Sequence, residues 1–395
     1  MILMKKLLLI IVILIGFCSI KVHAQVNDSI RISLLTCAPG TEIYSLFGHT
    51  AIRVEVPSRR IDLVYNYGMF SFQTPNFIYR FVKGETDYQL GIVPYSYFEM
   101  EYAERGSYVV QQELNLSLKE KERLIAVLEE NYLPQNRTYR YNYFYDNCTT
   151  RARDKIEESI EGKVIYQVSR EPLTFREIVH RFTKDFPWSE FGIDLCLGSE
   201  ADKAIDLRAQ MFSPFVTMHA MDSAVIRTSD GSSHPMVKHS SRIVDPVPHP
   251  HEKEFPLSPM TCALILLALS ICISLLELRY KFATWWFDLI LFGAQGIAGC
   301  VIAFLFFFSV HPTVGSNYLL IILNPIPLVY LPCMLYKALK RRKDLYHIGN
   351  ITVLTLFIVF WWLIPQKITL VILPLALSLL IRSIARLIVT RKRLS

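Results

Sequence analysis

The chain has 395 residues, 52% of them hydrophobic, and a formal net charge of +7. Much of that charge sits in short basic flanks of apolar runs, and the soluble part has no stripe of Lys and Arg interleaved with stacking aromatics. No nucleic acid is therefore expected among its partners.

At the N-terminus, Lys5 and Lys6 precede the apolar run "LLLIIVILIGFCSI", and "VHA" ends at Ala24 with the small residues a signal peptidase reads. Residues 1–24 are expected to be a secretory signal, with an uncleaved anchor as the alternative. Phe17 stands before Cys18 where a lipobox needs a small residue, so Cys18 is not expected to carry lipid.

Residues 25–226 read as an ordinary globular mixture, long enough for one domain with its own core. "RISLLTCAPG" predicts a strand ending at Pro39 and Gly40, "TEIYSLF" a short helix or turn, and "GHTAIRVEV" and "IDLVYNYG" two strands joined by "PSRR". A hairpin centred on Ser58 and Arg59 sets residue 49 opposite 68 and residue 51 opposite 66. Asn66 then shares a face with His49 as its diagonal neighbour. "YQLGIVPY" and "SYVVQQELNL" are further strands, and "SLKEKERLIAVLEENYL" is an amphipathic helix whose Ser117 and Glu120 fit a capping box. "TYRYNYFY" is strand-like, and "DNCTTRARDKIEESI" is helix-like with Asp146 or Asn147 as its N-cap. The expected class is α+β with an antiparallel sheet.

Residues 227–258 are rich in Ser, Pro and His and are expected to be a solvated linker; their histidines lack regular metal-ligand spacing. Beyond them, apolar stretches at 260–278, 285–308, 319–339, 351–363 and 368–389 each approach the roughly 20 residues a helix needs to cross a bilayer. An all-α bundle of about five transmembrane helices is expected over 259–395. The flanks "LRYK", "KALKRRK" and "RKR" follow the first, third and fifth stretches, which by the positive-inside rule sets the C-terminus in the cytoplasm and residues 25–226 outside the inner membrane. A secretory signal requires the same topology. Asp288 and Gln295 are the candidate pathway residues within these stretches, and Asp288 is expected to be exposed near the cytoplasmic end of its span.

Cys148 falls in the first turn of the helix-like segment. Unpaired backbone N–H groups and the positive end of the helix dipole favour a thiolate there, and the same N–H groups suit an oxyanion. The exported part has three cysteines, Cys37, Cys148 and Cys196, so at least one thiol is unpaired; a Cys37–Cys196 bridge would leave Cys148 free. These features alone fit a structural cysteine as well as a nucleophile. His49 is the best placed base and Asn66 the group to orient it, while His180 and His219 sit in amphipathic helical patterns.

The segments "LLTCAPGTEIYSLFGHTAIRV", "LVYNYGMFSF", "YRYNYFYDNCTTRARDKI" and "WSEFGIDLCLGSEADKAID" together resemble the Lnb-type lipoprotein N-acyltransferases. "GHTAIRV" with a downstream "NC" at a helix start also resembles the circularly permuted papain-like (NlpC-like) fold shared with relatives of lecithin:retinol acyltransferase. The resemblance implies Cys148 as nucleophile, His49 as general base and Asn66 as orienter. It implies acyl transfer from a membrane phospholipid, through a Cys148 thioester, to the N-terminal amine of a diacylated lipoprotein at the inner membrane, without metal or dissociable cofactor. Two other readings fit the same residues: a membrane-anchored thiol hydrolase of lipid or peptidoglycan, and a non-catalytic envelope scaffold. Tyr95, Tyr97, Phe98 and Tyr102 are candidates for an interfacial lip or for core and strand partners, and His311 and Asn317 for docking the domain, binding a head group or merely lining a polar loop.

Overall fold

The computed structural model describes residues 30–40, 42, 45–167, 172–247, 255–282, 284–340 and 342–391, so the expected signal at 1–24 lies outside them. In chain order the soluble part runs β1 (Arg31–Cys37), β2 (His49–Val56), β3 (Ile61–Met69), α1 (Phe77–Lys83), β4 (Asp87–Pro94), α2 (Tyr95–Glu104), β5 (Val109–Leu114), α3 (Leu118–Tyr132), β6 (Thr138–Arg140) and α4 (Cys148–Ser159). It continues through β7 (Lys163–Ile165), β8 (Leu173–Thr174), α5 (Phe175–Thr183), α6 (Pro187–Cys196), β9 (Ala204–Ile205), α7 (Leu207–Gln210), α8 (Pro214–Ser223), β10 (Val225–Arg227), β11 (Ser233–Pro235) and β12 (Val237–Val244).

Seven strands form one antiparallel sheet in the order β12-β5-β1-β2-β3-β4-β6. β1 and β2 are buried almost end to end, their polar residues included, because both faces of the sheet are covered. Leu34, Ile52, Val54 and Tyr65 face α3 and α4 through Leu124, Leu128, Ala152 and Ile156, whereas Leu35, Ala51 and Val64 pack against Phe98 and Tyr102 of α2. The β2–β3 pairs, Ile52 with Tyr65 through Val56 with Ile61, follow the register expected from the hairpin. The α+β expectation therefore describes the domain, and α3 begins with the expected Ser117–Glu120 capping box.

Two local expectations are corrected. Only Thr138–Arg140 of the aromatic run is a strand; residues 142–146 close a turn in which Asn142 and Asp146 bridge each other. The stretch expected to be a linker supplies β11 and β12 instead. β12 pairs along β5 as the sheet edge, and most of its side chains face solvent, which explains a composition so poor in large apolar residues.

The C-terminal part comprises α9 (Pro259–Tyr280), α10 (Trp285–Phe308), α11 (Ile326–Leu339), α12 (Tyr346–Val359) and α13 (Ile372–Arg391). Among the described residues, four helical stretches, Pro259–Tyr280, Trp285–Phe308, Tyr318–Leu339 and Ile372–Val389, are long and apolar enough to cross a membrane. The fourth expected span is shorter than the others: α12 has 14 residues and gives way to a 3-10 turn at Trp361–Leu363. At about 1.5 Å per residue it covers roughly 21 Å, less than the ~30 Å of a hydrocarbon core.

Asp288 is not exposed. It is buried against Arg382 (2.8 Å) and Arg386 (3.3 Å) of α13, with Glu277 of α9 on the same guanidinium at 3.1 Å. In an apolar surrounding an acid is tolerated when a cation answers it, and three helices are tied together here. Gln295 is also buried and donates to the Ile322 carbonyl at 2.7 Å.

The soluble domain sits on one end of this bundle. Trp188 Nε1 donates to Leu257 O, Asn317 Nδ2 to Leu195 O and Gln366 Nε2 to Leu197 O, while Lys367 Nζ meets Glu177 at 2.6 Å. Gly198 is pressed so close to Ser316 that a Cβ would lie 2.7 Å from its carbonyl carbon. His311 Nε2 bonds the Phe81 carbonyl at 2.9 Å, so His311 and Asn317 both dock the domain. The start of α9, the end of α10, the segment before α11 and the segment after α12 thus all lie at the domain end; the basic flanks follow helices that run away from it.

Candidate active site

Two side chains of α4's capping box fix where the thiol stands. Asn147 is the N-cap, accepting from the amides of Thr149 (2.8 Å) and Thr150 (2.9 Å), and the Thr150 hydroxyl accepts from the Asn147 amide at 2.8 Å. Asn147 Nδ2 donates to the carbonyls of Tyr143 (2.7 Å) and Phe212 (2.9 Å), which anchors the helix start to the turn before it and to the segment before α8. The cap is therefore Asn147, while Asp146 forms a bidentate pair with Arg151 at 2.6 and 2.7 Å. Since the cap occupies the Thr149 and Thr150 amides, the helix-start donor left for an oxyanion is the Cys148 amide, fewer than the sequence suggested.

His49 opens β2, and its Nε2 lies 2.6 Å from Asn66 Oδ1. Asn66 thus occupies one ring nitrogen and leaves Nδ1 as the nitrogen that can serve the Cys148 thiol, whose charge acts on the imidazole. Burial pushes the Cys148 thiol up, but the charge and hydrogen bond of His49, the Thr50 backbone N–H and the Thr149 hydroxyl outweigh it, and the thiol falls below its ordinary value. For His49, burial pushes downward, and the charge of Cys148 with its hydrogen bonds to Cys148 and Asn66 reverses the direction to a raised value. Both shifts act in the same sense, each favouring its charged form, thiolate and imidazolium. Thr149 Oγ1 stands 3.8 Å from the sulfur and is itself tied to Thr50 Oγ1 at 3.0 Å.

Gly68 stands beside the meeting point. It has φ +84° at a bulge in β3, and a Cβ there would lie 3.5 Å from Cys148 Cβ, 3.9 Å from His49 Cε1 and 4.0 Å from the Tyr139 hydroxyl. Tyr139 is buried under the guanidinium of Arg151, 3.8 Å from its ring centre, and its hydroxyl has no hydrogen-bond partner among the described residues. A donor without a partner beside a nucleophile is a rare arrangement.

The chain matches two family models, the Lnb N-terminal periplasmic domain over residues 22–181 and the Lnb transmembrane domain over residues 250–394. It belongs to the Lnb family. Neither a curated protein nor a solved structure matches this Lnb-type chain.

Within the Lnb domain, Cys148, His49 and Asn66 come together from α4, β2 and β3. The other candidates do not join them. His180 Nε2 is held by Asp194 Oδ1 at 2.9 Å, and His219 lies on α8. Cys37 and Cys196 are both free thiols, so the bridge that would have left Cys148 unpaired is not formed: Cys37 is buried in β1 opposite His49, whereas Cys196 ends α6. Phe98 and Tyr102 are core residues under the sheet, Tyr95 lies beneath Arg53, and only Tyr97 of the four expected lip residues is exposed. Tyr102 instead stacks on His49, with ring centres 6.3 Å apart. Gly68 and Tyr139 escaped the sequence reading. A lone glycine within a strand pattern was the available signal for the first; nothing in sequence marks the second among so many tyrosines.

Proposed function

We propose that this Lnb-type protein is a lipoprotein N-acyltransferase, moving an acyl chain from a membrane phospholipid through a Cys148 thioester to the N-terminal amine of diacylglyceryl-Cys lipoproteins. The observation that carries this reading is the Cys148–His49–Asn66 constellation on a domain bonded to one end of membrane helices. Both substrates are held in the bilayer by their own chains, so a thiol fixed at that surface meets them at high local concentration.

In the first half-reaction the thiolate attacks the ester carbonyl. The carbon–sulfur bond forms, the carbon–oxygen bond breaks, and the His49 imidazolium gives its proton to the departing lysophospholipid oxygen. In the second, the lipoprotein amine attacks the thioester, its proton passes to His49, and the thiolate leaves with formation of the amide. Asn66 keeps the ring oriented through both. The Cys148 amide and the Tyr139 hydroxyl are the donors available to the carbonyl oxygen as it becomes negative. With the domain in the periplasm, the basic flanks and the alternating direction of the five helices, the last of which runs away from the domain end, support a cytoplasmic C-terminus.

Intact-protein mass after incubation with phospholipid vesicles tests the chemistry: an acyl adduct on Cys148, released by hydroxylamine and absent in Cys148→Ala, is expected. Adding a diacylated lipopeptide should convert the adduct to amide in preference to free fatty acid; release mainly as fatty acid would instead assign a lipid hydrolase. Without a thioester the reading fails.

A further inference from the structure

β3 leads from Asn66 and Gly68 into the segment 70–76 and then α1, whose exposure is reversed from that of a helix in water. Of its apolar residues Phe77 is buried, but Ile78 is 74% exposed, Tyr79 and Phe81 are exposed, and Phe72 just before it is 65% exposed. A cluster of large apolar side chains left open marks a surface meant for an apolar partner.

The last turn of α1 is fastened to the end of a membrane helix. Ser309 Oγ donates to Val82 O at 2.9 Å, the Val310 amide to Lys83 O at 2.8 Å, and His311 Nε2 bonds Phe81 O at 2.9 Å. Carbonyls that a helix C-terminus leaves unpaired are thus answered by the loop following α10. The Tyr79 ring centre lies 5.8 Å from that of Phe304, four residues before the end of α10. Four residues correspond to about 6 Å of rise, so Tyr79 reaches about one turn down the span. At that end of α10 and just after it, Phe307, Phe308 and Val310 are exposed as well.

Charge decides what kind of lipid contact this is. Arg80 is paired with Asp87 at 2.8 Å and Lys83 with Glu85 at 2.7 Å, so the cations of α1 are already matched by acids of the domain. The face is apolar with neutralised flanks, which suits acyl chains rather than anionic head groups. Inward from it runs a ladder of rings: Phe72 to Phe70 (5.0 Å), Phe70 to Tyr88 (4.9 Å) and Tyr88 to Tyr141 (4.1 Å), in the apolar cluster against which Cys148 packs.

We propose that α1 and residues 70–76 form a lip seated in the acyl-chain boundary of the membrane beside α10, and that the donor phospholipid reaches Cys148 over this lip, its chain following the ring ladder. The seat itself is independent of the acyl-transfer reading; the delivery role rests on it.

The experiment uses the full chain in phosphatidylcholine vesicles, with the photoreactive residue p-benzoylphenylalanine placed at position 72, 78, 118 or 297. Leu118 is an exposed apolar residue on α3, and Ile297 an exposed residue of α10. Phospholipid adducts are expected at 72 and 78 as at 297, unchanged when half the lipid is anionic phosphatidylglycerol. Adducts at 72 and 78 no more frequent than at 118, or appearing only with the anionic lipid, overturn the seat. Delivery is read with Ile78→Asp: Cys148 acylation from vesicles should fall about tenfold or more, while acylation by a dissolved short-chain phospholipid and alkylation by iodoacetamide stay unchanged. Equal losses with both donors overturn delivery. If no donor acylates even the wild-type thiol, the acyl-transfer reading and the delivery role fall together, whereas the cross-links still decide the seat.

Discussion

His49 Nε2 and Asn66 Oδ1 are 2.6 Å apart across the β2–β3 hairpin, so the imidazole that meets Cys148 is held by a group on the neighbouring strand. Asn66→Ala frees the ring to rotate away from the sulfur. Thioester formation is expected to fall by roughly 10- to 100-fold, a fraction of what general-base catalysis contributes, with circular dichroism unchanged. A wild-type rate in burst acylation would remove Asn66 from the site.

The Cys148 thiol is depressed chiefly against the upward push of burial, by His49. A lowered value means the thiolate persists to lower pH, so iodoacetamide alkylation should rise through a midpoint below the ~8.5 of a free cysteine. In His49→Ala the opposing charge is lost while much of the burial remains, and the midpoint should move above that value. Alkylation rates between pH 5 and 10, read at the Cys148 peptide, measure both.

Gly68→Ala tests the backbone of the β3 bulge. The φ of +84° disfavours a side chain, at a cost of about 1–2 kcal/mol, whereas the added methyl would meet Cys148 Cβ at 3.5 Å and His49 Cε1 at 3.9 Å, ordinary contact distances. The expected result is a fall in thermal stability with acylation by the remaining folded protein largely kept; a loss of acylation well beyond the loss of folded protein would overturn this and make the bulge a positioning element of the site.

Tyr139→Phe removes a buried hydroxyl that has no protein partner among the described residues, so stability should hold or rise slightly. If that hydroxyl binds the developing oxyanion, acylation falls by about 10²–10³-fold, as when one such donor is removed elsewhere, and the alkylation profile stays where it is. Stopped-flow acylation and the alkylation profile together separate this role from a change in the thiol.

Arg382→Met leaves Glu277 and Asp288 facing one another in the bundle without their shared guanidinium. Breaking a buried pair in this way costs about 3–5 kcal/mol, so a strongly lowered melting temperature in detergent is expected. Replacing Glu277, Asp288, Arg382 and Arg386 together by apolar residues should recover most of it.

Periodicity and turn chemistry were sufficient for the β2–β3 register, the α3 capping box and the placing of Cys148 at a helix start, because these depend on residues close in the chain. The apolar runs likewise located the membrane helices, since length and hydropathy are local quantities. What sequence could not supply was which distant groups share a volume. Edge strand β12 looked like a linker because its partner β5 lies more than a hundred residues earlier. Asp288 looked exposed because Arg382, 94 residues on, is brought to it only by the packing of α10 on α13. The aromatic lip moved from α2 to α1 for the same reason: composition marks both helices as aromatic, but the sheet covers one and the loop after α10 draws the other to the membrane. Chain order brought His49 and Asn66 within one hairpin of each other; only the fold placed them, Gly68 and the buried Tyr139 hydroxyl around a single sulfur.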